Sequence, residues 1–105
     1  MSGKRTGAGK APGYPALREF FSGYLHEDFR DEYGSAVGAA EAYREDAPAD
    51  DLAALGKEWK AWRAALGDAS PAAWARAIRQ LGGAWSPQSA SEVEILGKTL
   101  LAPKI

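Results

Sequence analysis

Cysteine is absent from the 105 residues, which removes disulfides, thiolate nucleophiles and cysteine-ligated zinc or iron–sulfur sites together. No apolar run approaches the roughly 20 residues needed to cross a bilayer. The opening MSGKRTGAGKAPG carries bases with no apolar stretch behind them, so it does not read as a secretory signal. A reducing, cytoplasmic setting is the expectation, with no membrane partner. Histidine occurs once, at His26, and the residue four positions on is Arg30, so the paired-histidine zinc motif cannot form. Period-two alternation is missing and β-branched residues are few, which argues against strands.

What remains is the material of one folded domain. Hydrophobic residues make up 46% and charged residues 26% of the chain, an ordinary globular balance at a length that supports a single core and no separate cofactor domain. A monomer or weak dimer is expected. Residues 1–13 are set apart by Gly, Lys, Thr and Pro and read as a flexible basic leader before a helical domain over 14–105. Gly7, Gly9 and Lys10 invite a phosphate-loop reading, but the pattern wants glycine where Lys4 stands and Ser or Thr where Ala11 stands.

Helical spacing dominates from Pro15 onward. Leu17, Phe20, Phe21, Tyr24 and Leu25 fall three and four apart, one apolar stripe behind a proline suited to a first helical position. A small-residue helix follows over about Ala36 to Glu45, with Val37, Ala40 and Tyr43 or Arg44 along it. A third, capped by Asp50, carries Leu52, Leu55, Trp59, Trp62 and Leu66 and stops at Gly67. Ser70-Pro71 restarts the chain for a helix with Trp74, Ile78 and Leu81. The pair Ser91 and Glu94 has capping-box spacing ahead of Val93, Leu96 and Leu100, with Pro103 closing that helix. The fold class is all-α, a small single-domain bundle of about five helices. The four tryptophans read as core, with Trp85 closing one end of the bundle.

Chemistry is sparse. A calcium loop begun at Asp28 would need an oxygen ligand at Arg30 and a glycine at Tyr33. Ser22 lies one turn before His26, yet no oxyanion hole or strained elbow accompanies the pair. At the end of the first helix, His26 reads as a cap for the terminal carbonyls. No catalytic residue, metal or cofactor is expected.

Charge is informative because it is segregated. Residues 15–51 hold three bases against ten acids, while residues 52–105 hold seven bases against four acids. An acidic face of that kind repels nucleic acid and attracts basic partners. The alternative, a helical DNA-binding or regulatory module, would use Lys57, Lys60, Arg63, Arg76 and Arg79, but a near-neutral domain makes the phosphate contribution weak.

The stretch YPALREFFSGYLHEDF at 14–29, and GGAWSP at 82–87 ahead of a terminal helix, resemble the immunity proteins of bacterial contact-dependent growth inhibition (CDI) systems. The similarity runs over about residues 14–101. It implies a small all-helical, non-enzymatic protein that binds a cognate toxin domain and blocks it in the cytoplasm. The segregated acids fit such a role, because many delivered toxins are nucleases with basic clefts. The expected partner-binding residues are therefore His26, Glu27, Asp28, Asp31 and Glu32, with Asp46, Asp50 and Asp51 as a second group.

Overall fold

Pro15 opens the first of six helices in the computed structural model, which describes residues 13–102: α1 (Pro15–Tyr24), α2 (Phe29–Tyr33), α3 (Ala36–Asp46), α4 (Ala49–Leu66), α5 (Pro71–Gln80) and α6 (Ala90–Leu101). There is no strand among the described residues. All but Gly13 of the expected leader, and Pro103, lie outside them.

The expected bundle of about five helices gains one. The addition is α2, whose five residues FRDEY bury only Phe29. One turn is too short to show a repeating stripe, so its acids read as loop in the sequence.

Two helix starts also move. The α4 cap position is Pro48, in extended geometry, and Asp50 and Asp51 sit in the first turn, where carboxylates favour the helix dipole without capping it. The α6 cap is Ser89, two residues before the expected Ser91. Ser89 Oγ accepts from the Glu92 N–H (3.3 Å), and Glu92 Oε1 accepts from the Gln88 N–H (2.8 Å). Both serine–glutamate pairs have the same spacing, and the earlier start gives α6 extra length. The other signals hold: Ser70 Oγ accepts from the Ala73 N–H, and the Gly67 N–H bonds Arg63 O.

The apolar stripe of α1 packs as expected, with Leu17, Phe20, Phe21 and Leu25 fully buried and Tyr24 half-buried at the rim. In α3 the inward face is Ala36, Ala39, Ala40 and Tyr43, while Val37 turns partly outward and Arg44 is half-buried. Small residues there let α3 approach α1 and α6, its principal neighbours along with α2. All four tryptophans are buried. Trp62 meets Phe21 at 5.4 Å, Trp59 at 5.4 Å and Trp74 at 5.1 Å between ring centroids, tying α4 to α1 and α5.

After α5 the chain must reverse tightly. Gly82 adopts φ 93, a left-handed value that side-chain-bearing residues avoid. The following segment runs back over α1, where the Ala84 N–H donates to Leu25 O (2.7 Å) and Trp85 is carried into the core.

Helix α6 meets α4 tightly at Gly97, where an added Cβ would stand 2.6 to 2.7 Å from the Trp59 indole. Gly97→Ala is expected to lower stability by about 1–3 kcal/mol through overpacking, seen as an earlier denaturant midpoint. Gly23→Ala, in open space at the end of α1, should instead stabilise by about 0.5–1 kcal/mol. Equal effects of the two substitutions would contradict this account of the α4–α6 contact.

Candidate functional site

The backbone leaves α1 at Leu25, whose N–H bonds Phe21 O, and turns at His26, whose carbonyl accepts from the Phe29 N–H (3.0 Å). That turn starts α2 and directs its acids outward. The imidazole does not cap the α1 carbonyls, as its position at the helix end suggests. Its Nδ1 accepts from the Asp28 N–H (3.1 Å) and its Nε2 lies 2.8 Å from Glu32 Oε1. An accepting Nδ1 places the ring hydrogen on Nε2, so the neutral imidazole already donates to Glu32. His26 is thus a strut across the α1–α2 turn, because the chain reverses immediately after Leu25 and carries the ring toward α2.

Ser22 takes no part with it. The Ser22 hydroxyl donates to Arg18 O at 2.6 Å, so the i, i+4 spacing with His26 produces no nucleophile–base pair here. Among the described residues no group of three or more His, Asp or Glu side chains is arranged to hold a metal ion.

Of the expected contact residues, Glu27, Asp28, Asp31 and Glu32 are exposed around the turn and α2. Asp46 ends α3 and accepts from the Tyr24 hydroxyl (2.8 Å). Asp50 is exposed and Asp51 half-buried at the start of α4. The two acidic groups are bridged by aromatic side chains. Tyr24 stacks on Tyr33 with centroids 5.7 Å apart and planes at 24°. Burial pushes the Tyr33 phenol up, and the charges of Glu32 and Asp46 act in the same direction. One residue of each acidic group therefore bears on the same ring.

Beside this stack lies a concavity of about 230 Å³ among α1, α3 and the start of α4, with Glu19, Tyr24, Tyr43, Asp46 and Asp51 in its walls. Burial, then the hydrogen bond to Asp46, raises the Tyr24 phenol to about 12. Tyr43 is likewise pushed up to about 12, by burial and then by the charges of Glu19, Asp51 and Glu58. Sequence reasoning missed Glu19 and the tyrosines as members of this face. The available signal was the amphipathic nature of tyrosine within an apolar stripe, whose ring packs while its hydroxyl reaches the rim.

The basic side is partly spent on the fold. Arg63 pairs with Glu94 and lies over the Trp74 ring, 5.5 Å from its centroid.

Residues 13–94 match a protein-family model described as CdiI immunity protein. No curated protein and no solved structure matches the chain. The family match spans α1 to α5 and the start of α6, and so includes every residue of the acidic and aromatic face.

The tyrosines tie stability to alkaline pH. Tyr24 and Tyr43 lose their protons at about 12 when folded and at 10.0 when unperturbed, so the unfolded chain releases them first. Their contribution is complete below pH 10.0 and is lost as pH rises through about 12. Alkaline unfolding followed by circular dichroism should show that decline, and Tyr24→Phe with Tyr43→Phe should flatten it. An unchanged decline in the double variant would contradict the assignment.

Proposed function

The chain belongs to the CdiI immunity protein family, and on that premise we propose that it binds one cognate toxin domain in the cytoplasm and neutralises it stoichiometrically, without catalysis. The observation that carries the docking surface is the joining of two acidic groups by the Tyr24–Tyr33 stack into one face. Glu27, Asp28, Asp31 and Glu32 form its outer edge, with His26 holding the turn. Asp46, Asp50 and Asp51 form the inner edge.

Such a face suits a basic partner surface. Complementary charge accelerates encounter and orients the two proteins, and the tyrosines supply rigid contact area beside the charges. A nuclease toxin is the partner class this charge favours, because its substrate cleft must attract phosphate. Inhibition then amounts to occupying that cleft or its approaches, with the acids standing where the nucleic acid backbone would lie.

The test is co-purification with the product of the neighbouring reading frame, together with rescue of cells that express that product. Replacing Glu27, Asp28 and Asp31 with Lys, which leaves the His26–Glu32 contact in place, should leave the helical spectrum intact and weaken toxin binding by at least about tenfold, mainly through slower association. Raising salt should narrow the difference. Toxin affinity unchanged by the triple reversal would discard the acidic docking face, and failure of the wild-type chain to bind or rescue would discard the inhibitor reading.

A further inference from the structure

Tyr43 is the anomaly of the acidic face. Its side chain is only 2% exposed, yet its hydroxyl has no hydrogen-bond partner. The ring is held edge-on by Phe20 and Tyr24, each at 5.3 Å, so it is fixed in place with the polar tip left over. Nearly all buried hydroxyls in native proteins are paired, and one that is not costs stability. A group retained in that condition calls for a partner that the chain itself does not supply.

The surroundings say what kind of partner. Tyr43 lines the same concavity as Glu19, Asp46 and Asp51, and no basic side chain lines it. The charges of Glu19 and Asp51 both bear on the Tyr43 hydroxyl. Asp46 is already held by the Tyr24 hydroxyl, which aims one carboxylate oxygen and leaves the other for a second donor. The volume of about 230 Å³ is several times the roughly 30 Å³ share of one water molecule, enough for a planar cation.

We infer that this concavity is a receptor for one arginine side chain of the bound protein, its guanidinium donating to the Tyr43 hydroxyl oxygen and to the carboxylates of Asp46 and Asp51. Guanidinium fits better than ammonium, because its five donors lie in one plane and serve several acceptors at once. Glu19 adds charge at the rim. The inference rests on the toxin-binding reading and goes further, naming an anchor point within the acidic face and the chemistry that fills it.

Two conservative variants test it. Tyr43→Phe removes only the unpaired hydroxyl, so the free protein should melt at an equal or higher temperature while toxin affinity falls. Asp51→Asn removes one charge with little change of shape. Each should weaken binding to the toxin domain by about tenfold, as loss of a charge-assisted hydrogen bond does. The rise in stability separates a binding role from a packing role, since a packing residue would lose both together. Unaltered toxin affinity in both variants overturns the arginine receptor and leaves the inhibitor reading intact. If the wild-type chain binds no toxin, that reading falls and the receptor is decided by titrating N-acetylarginine amide against N-acetylcitrulline amide. Saturable amide shifts at Gly23 and Ala47 with the arginine compound, absent with citrulline and absent in Tyr43→Phe, support it; no arginine-specific shift overturns it.

Discussion

The indole pair of α4 is the contact on which the other helices depend. Trp62 is enclosed by Phe21 from α1 and Trp74 from α5, and Trp59 lies against the bare backbone of α6 at Gly97. Aromatic side chains of this size bury on the order of 150–250 Å² each and dominate the energy of a small core. Two on adjacent turns of one helix therefore set where three others can lie. The spacing between α4 and α6 follows from what stands opposite Trp59, and only glycine leaves the room.

With the core committed to these contacts, the helix ends are closed by charged side chains reaching across from other helices. The cap position of α1 is Tyr14, which offers no side-chain acceptor, so the Leu17 N–H donates to Glu58 Oε1 of α4 at 3.0 Å. Arg44 of α3 donates to Ala102 O (2.8 Å) and relieves a terminal carbonyl of α6. Both bonds satisfy backbone groups that a helix cannot satisfy itself. They also draw Glu58 and Arg44 into the fold, along with the Arg63–Glu94 pair. Among the acids left over, Glu32 of α2, Asp46 of α3 and Asp51 of α4 gather around the tyrosines.

That remainder is where function is proposed to lie, and it is not a bare patch of charge. Tyr24 and Tyr33 extend the α1–α3 core outward, presenting ring edges and hydroxyls among the carboxylates, while Tyr43 packs edge-on against Tyr24 inside the core. An exposed carboxylate alone is solvated and contributes little to affinity. Beside a rigid ring it faces less water, and a partner that displaces the rest gains both contact area and a stronger charge interaction. The same arrangement explains why the phenols hold their protons to high pH: burial and neighbouring carboxylates both oppose a phenolate.

Periodicity and punctuation along the chain were sufficient for the helical class, for α1, α4 and α5 close to their ends, and for the burial of all four tryptophans. These depend on spacing within one segment, and local stereochemistry decides them. The segregation of acids was equally legible, since it is a count along the chain. The α2 turn, the choice between Ser89 and Ser91 as cap, and the direction of the His26 imidazole were not, because each is a competition between locally similar options settled by packing elsewhere. The recess around Tyr43 belongs to the same class: Glu19, Tyr43, Asp46 and Asp51 lie on three helices, and only the docking of α1 against α3 and α4 brings them together. Sequence alone determined the helical class, most of the buried stripes and where charge would gather, through hydrophobic spacing and composition. Tertiary structure alone decided which charges share a surface with which rings, because that depends on how whole helices pack, a property no single segment carries.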